Sequence, residues 1–163
     1  MYKLMIVDDE QIEREGMADF IPWDKYDVQL CGTAWNGVDA LEKIQETEPD
    51  IVLTDIKMPV MNGIELISRI SADYKDIAII VLSGYGEFEY TSKAMEYGVR
   101  HYILKPCDEE KIVSVLDVVK QEIDTRRENR RKEKEYHTIK RELLPHAKEE
   151  LLRRLMVDNS PSE

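Results

Sequence analysis

Residues 50–63 read DIVLTDIKMPVMNG, and the run at their start decides the fold. Ile51, Val52 and Leu53 form an apolar stretch of the kind that is covered on both faces of a sheet. Such a run should leave the core through a turn residue. Here it delivers Thr54 and then a carboxylate, Asp55, at the mouth of a buried strand.

Outward from that stretch the same beat repeats. Short apolar runs, rich in Val and Ile, occupy 4–7, 28–34, 51–54, 77–82 and 102–104. Between them lie segments with helical spacing. Ile12, Gly16 and Phe20 share one face of the first, Val38, Leu41 and Ile44 of the second, and Ile64, Ile67 and Ile70 of the third. A weaker pattern over 87–97 ends at Gly98, and Ile112, Leu116, Val119 and Ile123 mark the last helix. Strands alternating with helices predict right-handed crossovers and an α/β, doubly wound five-stranded parallel sheet of order 2-1-3-4-5.

In such a sheet a ligand sits at the C-terminal ends of the strands, where the strand order reverses. The residues that follow the runs are Asp8, Asp9 and Glu10 after the first, Asp55 after the third, Ser83 after the fourth, and Lys105-Pro106 after the fifth. The second run ends in Trp35-Asn36-Gly37, a turn and helix start. Strands 1 and 3 are neighbours in this order, so Asp8, Asp9 and Asp55 share a pocket with Ser83 and Lys105 on its other side. Carboxylates crowded in this way repel unless positive charge sits among them. Lys105 supplies one such charge. A hard divalent cation supplies more, and with no His or Cys in the cluster Mg²⁺ suits it best. His101, the nearest histidine, reads as structural. With Mg²⁺ present, Asp55 is placed to attack a phosphoryl group, Lys105 to neutralise its oxygens and Ser83 to donate a hydrogen bond. Each residue alone has an ordinary role as a cap, turn or loop residue. Their coincidence at the correct strand ends carries the functional reading.

The stretches MIVDDE, PDIVLTDIKMPVMNGIELI, IIVLSGYGEFEYTSKAME and YGVRHYILKP resemble the receiver domain of two-component response regulators over residues 1–123. The resemblance implies a flavodoxin-like receiver with Asp55 as phosphoacceptor. It implies Mg²⁺ held by Asp8, Asp9, Asp55 and the backbone carbonyl of Lys57. Ser83 would be the switch hydroxyl, Lys105 the phosphate-binding lysine and Tyr102 the switch aromatic, with Pro106 holding the Lys105 peptide in an unusual, cis conformation. A sensor histidine kinase would be the phosphodonor, and the face over 87–123 would pair into a homodimer on activation. IPWDKYDVQLCGTAWNG and VRHYILKP resemble receivers attached to AraC-type helix-turn-helix regulators, which implies transcription regulation through a DNA-binding output domain. The competing enzyme reading is a Mg²⁺-dependent phosphatase or phosphotransferase working through an aspartyl phosphate. It needs an acid near the nucleophile, where this chain has Lys57, and usually a cap for which no insertion is long enough. A third reading, an interaction module indifferent to phosphate, is opposed by the complete residue set. No turnover enzyme is expected.

Charge separates the chain into two parts. Residues 1–123 hold 25 Asp+Glu against 12 Lys+Arg, and residues 124–163 hold 9 against 11. An acidic body is a poor nucleic-acid partner, so direct DNA contact by 1–123 is not expected. No membrane span or leader is legible, and Cys31 and Cys107 lack metal or redox spacing, which predicts free thiols in the cytoplasm. Glu110 to Leu144 lack Gly and Pro and predict a helix of about 50 Å, longer than a domain roughly 35 Å across, so the helix leaves the domain and opens a helical linker over 124–163 that ends in a second short amphipathic segment. Its early seam does not continue as a coiled coil, because Arg126, Arg130, Glu133, His137 and Lys140 fall on it before Leu144 and Ala147. Pro145 is expected to break or restart the helix, and Leu151, Leu152 and Leu155 to leave apolar surface uncovered.

Overall fold

The computed structural model describes the backbone of residues 1–158 and their side chains other than those at 144, 147, 148 and 156–158. Two compact units are present, Met1–Lys120 and the residues from Gln121 onward. In the first, strands β1 (Tyr2–Val7), β2 (Val28–Ala34), β3 (Ile51–Asp55), β4 (Ala78–Ser83) and β5 (His101–Leu104) form one sheet. All pairs are parallel and the order is β2-β1-β3-β4-β5, as the sequence predicts. Helices α1 (Gln11–Phe20), α2 (Gly37–Thr47), α3 (Gly63–Asp73) and α4 (Phe88–Glu96) alternate with the strands, and α5 (Glu109–Asp158) follows β5.

The central strands are buried on both faces, since consecutive residues Leu4, Met5, Ile6 and Val7 are all fully covered. Met5, Val7 and Val52 pack with Ala40 and Ile44 of α2 and with Leu66 and Ile70 of α3. Val81 packs with Ile64, Ile67 and Ala94. Local signals set the helix starts. The Asn36 side chain accepts from the Asp39 N–H at 2.8 Å, and Asn62 accepts from the Glu65 N–H at 2.9 Å. Each satisfies a backbone donor that the first turn leaves unpaired. In α5, Ile112, Leu116, Val119 and Ile123 are buried as their spacing predicts.

Three expectations need correction. The predicted apolar face of α1 is turned to solvent, with Ile12 88% and Phe20 85% exposed. Polar anchors set the rotation of this helix. Glu13 reaches Lys105, and Arg14 Nη1 donates to the Asp8 carbonyl at 2.8 Å. In α2 the buried face runs through Gly37, Ala40 and Ile44, leaving Val38 exposed. Pro145 does not interrupt α5, whose 50 residues run through it. Proline's fixed φ is compatible with helix, and on an exposed turn water can serve the one carbonyl that loses its donor. A short 3₁₀ turn, Trp23–Tyr26, is also present and buries Trp23. The exposure expected at Leu151, Leu152 and Leu155 is found, and every described side chain from Arg127 onward is exposed. Leu144 and Ala147 of the predicted seam have side chains outside the described residues.

One glycine fixes how α3 meets the end of β3. The Gly63 N–H donates to the Ile56 carbonyl at 2.7 Å, and a Cβ at Gly63 would run into the Asp55 carbonyl and the Ile56 Cα. At Gly37 the atoms in the way belong to the Met61 side chain, whose Cγ and Sδ can turn aside while its Cβ moves only with the backbone. Urea unfolding should show Gly63→Ala destabilised by about 2–4 kcal/mol and Gly37→Ala by less, about 1–2 kcal/mol. Equal losses at the two positions would count against this account.

Candidate functional site

The site is assembled where β1, β3 and β5 end. The Asp8 N–H donates to the Ala34 carbonyl at 3.0 Å, which carries the β1–β2 pairing one residue past the strand and buries Asp8 completely. The Glu10 N–H returns to Asp8 Oδ1 at 3.0 Å, leaving Asp8 Oδ2 without a hydrogen-bond donor. Asp55, last residue of β3 and paired in register with Leu82, is buried, and its Oδ1 accepts from the Ile56 N–H at 2.8 Å. Ser83, buried at the end of β4, accepts through its carbonyl from the Lys105 N–H at 2.8 Å. That bond places Lys105 just past β5, ahead of a cis peptide to Pro106. Its Nζ then lies 2.8 Å from Glu13 Oε2, 3.1 Å from Asp55 Oδ2 and 3.6 Å from Asp8 Oδ2.

Carboxylate oxygens of Asp8, Asp9 and Asp55 lie within 4.8 Å of one another. Burial pushes the Asp8 carboxyl up to about 7 despite the Glu10 N–H and Lys105, with Asp55 and Glu13 adding to the rise. Burial also raises Asp55, against the pull of Lys105 and the Ile56 N–H. For Lys105 burial acts downward, but Glu13, Asp55 and Asp8 outweigh it and hold the ammonium firmly protonated. One ammonium therefore does not neutralise the cluster. Asp8 Oδ2, which has no hydrogen-bond donor, and an all-oxygen donor set fit a hard divalent cation such as Mg²⁺. An open cleft of about 370 Å³, lined by Asp9, Lys57, Met58, Asn62 and Tyr90 among others, gives access beside the cluster.

The structure brings Asp8, Asp9, Asp55 and Lys105 together and sets Ser83 on the adjacent strand end. Tyr102 is not brought to them, being 45% exposed and paired with Val81, two residues before Ser83. The Lys57 ammonium stands over the Tyr90 ring, 5.8 Å from its centroid. Glu13 is the site residue that sequence reading missed. Its position four residues past Asp9, in the first turn of α1, was the available signal, hidden by the assumption that Ile12 faced inward. Cys31 and Cys107 are free thiols, each half-buried.

The family of the response regulator receiver domain matches residues 4–117. The chain is 48% identical over 143 residues to the transcriptional regulatory protein YesN of Bacillus subtilis (strain 168), covering 88% of this chain and 38% of that protein. The REC domain of AraT, a response regulator from Geobacillus stearothermophilus, has a TM-score of 0.72 at 32% identity, covering 77% of this chain and 98% of that one. The two component transcriptional regulator AraC from Clostridium phytofermentans ISDg gives 0.71 at 32% identity, covering 77% and 97%. The chain spans well under two thirds of the length of the curated relatives it matches.

The electrostatics give a pH dependence of unusual sign for a carboxylate. Asp8 holds its proton to about pH 7 in the folded chain, against 3.8 ordinarily. The folded state therefore binds more protons than the unfolded one across this interval, and metal-free stability falls as pH rises from about 4 to 7. Asp8→Asn should remove most of this loss and raise the stability of the metal-free protein at pH 8 by on the order of 3 kcal/mol. Mg²⁺ should stabilise the wild type more at pH 8 than at pH 5. Thermal melts at the two pH values, with and without chelator, check both, and a flat profile would contradict them.

Proposed function

Because the chain belongs to the response regulator receiver domain family, we propose that it is a phosphorylation-controlled switch of a two-component system. In this reading a sensor histidine kinase donates a phosphoryl group to Asp55, and the response is transcriptional. The observation that carries it is the convergence of Asp8, Asp9 and Asp55 within 4.8 Å, with the Lys105 ammonium 3.1 Å from Asp55. Asp8, Asp9, Asp55 and the Lys57 carbonyl are the proposed Mg²⁺ ligands. The ion supplies neutralisation of the phosphoryl oxygens while it is bound.

Lys105, 3.1 Å from Asp55 Oδ2, opposes the protonation that burial favours and so supports the nucleophilic carboxylate. The Ile56 N–H fixes Asp55 Oδ1 at 2.8 Å, so the carboxylate is oriented before a donor arrives. An Asp55 oxygen forms the new bond to phosphorus as the bond from phosphorus to the donor imidazole nitrogen breaks. The imidazole leaves with that electron pair and takes up a proton. The Ser83 hydroxyl then donates to a phosphoryl oxygen and Lys105 pairs with the dianion. Tyr102, exposed on β5 two residues before Lys105's neighbour Leu104, turns inward as Ser83 moves. The shift alters the face over 87–123 and favours a homodimer.

The proposed organisation is a receiver over 1–123 and a helical linker over 124–163 leading to an AraC-type DNA-binding domain. Relatives named as transcriptional regulators, of which this chain spans only part, support that output. Cytoplasmic placement is consistent with the finding that no helix among the described residues is long and apolar enough to cross a membrane.

Intact mass after incubation with acetyl phosphate and Mg²⁺ should show one phosphoryl adduct. The adduct should be lost with chelator and in Asp55→Asn. No adduct from well-folded wild type, with acetyl phosphate or with a phosphorylated kinase domain, would overturn the reading. Sedimentation velocity should show beryllofluoride converting monomer to dimer, and an unchanged monomer would remove dimerisation from it.

A further inference from the structure

Lys105 has three carboxylates within reach, and the nearest does not belong to a strand end. Its Nζ donates to Glu13 Oε2 at 2.8 Å, closer than Asp55 Oδ2 at 3.1 Å or Asp8 Oδ2 at 3.6 Å. Glu13 lies in the first turn of α1, where the helix dipole favours a carboxylate. Its side chain is 42% exposed, whereas Asp8 and Asp55 are buried. Water can therefore take over from Lys105 at Glu13, but not at the two aspartates.

We infer that Glu13 is a positioning residue that draws the Lys105 ammonium away from the acidic cluster, favouring the divalent cation and opposing the phosphoryl group. The inference rests on the phosphoacceptor reading above. Without a phosphoryl group, an ammonium fully engaged by Asp55 and Asp8 would compete with a cation for the same oxygens. Glu13 takes up part of that ammonium's charge and adds one more negative charge beside the cluster, and both effects attract a cation. Once a phosphoryl group is on Asp55, both effects reverse. Lys105 must weaken its bond to Glu13 in order to pair with the phosphoryl oxygens, and the Glu13 carboxylate repels the new dianion. A single residue thus acts with opposite sign on two ligands of one pocket.

That opposition distinguishes positioning from a structural role, because a damaged pocket would bind both ligands worse. Glu13→Gln keeps the size and loses the charge. Calorimetric titration of Mg²⁺ without phosphodonor should show affinity weakened about fivefold. Titration of beryllofluoride at saturating Mg²⁺, followed by ¹⁹F NMR, should show affinity strengthened by about the same factor. In a Lys105→Met background, Glu13→Gln should strengthen beryllofluoride binding by a clearly smaller factor, since the competition for the ammonium is gone and only the direct repulsion remains. If Glu13→Gln moves both affinities in one direction, or neither, the inference is overturned and the phosphoacceptor reading stands. If wild type binds neither Mg²⁺ nor beryllofluoride, both are overturned.

Discussion

Three carboxylates and one ammonium at the ends of buried strands form the constraint on which the rest of the structure depends. The strand order makes it unavoidable. With β1 and β3 adjacent at the centre, residues one step past Val7 and Thr54 must meet, and these are Asp8 and Asp55. Both are covered on the same terms as the apolar residues before them. The charge of one lysine, shared among Asp8, Asp55 and Glu13, leaves Asp8 with an oxygen that has no hydrogen-bond donor. A fold selected only for stability would not keep such a group.

Elements around the cluster are arranged to serve it, sometimes against their own preferences. α1 exposes Ile12 and Phe20 while its inward side carries Glu13 and Arg14, one on Lys105 and the other on the Asp8 carbonyl. The junction of β3 and α3 is drawn so tight that no side chain fits at Gly63, which keeps the Asp55 backbone in place. Lys105 is tied to Ser83 through the backbone, so the two groups proposed to receive the phosphoryl oxygens are linked before any ligand arrives.

Period and strand-end chemistry made most of this legible in the sequence. The runs at 28–34 and 51–54 are strands within one residue of their expected bounds, because buried parallel strands leave little freedom in where Val and Ile fall. Asp8, Asp9, Asp55 and Lys105 were identifiable because the topology fixes which residue follows each run. In α1 polar contacts override the apolar spacing. An apolar spacing of four in α1 suggested a core face, but two long polar side chains reaching over the end of β1 set its rotation. Glu13 is hard to read for the same reason, since its place four residues past Asp9 puts it near the strand end but does not say that it will meet a lysine 92 residues away. Pro145 misled because a proline's cost was weighed without the solvent that compensates it.

The long helix has a consequence for how its length can vary. Between Asp124 and Leu143 α5 runs without glycine or proline, so the rotational phase of one end relative to the other is fixed by residue count alone. Each residue added or removed turns one end against the other by about 100°, and the shortest steps that restore the phase to within about 20° are seven and eleven residues. Length in this segment is therefore quantised by the helical repeat. Insertions of one or two residues, harmless in a loop, would here be changes of angle.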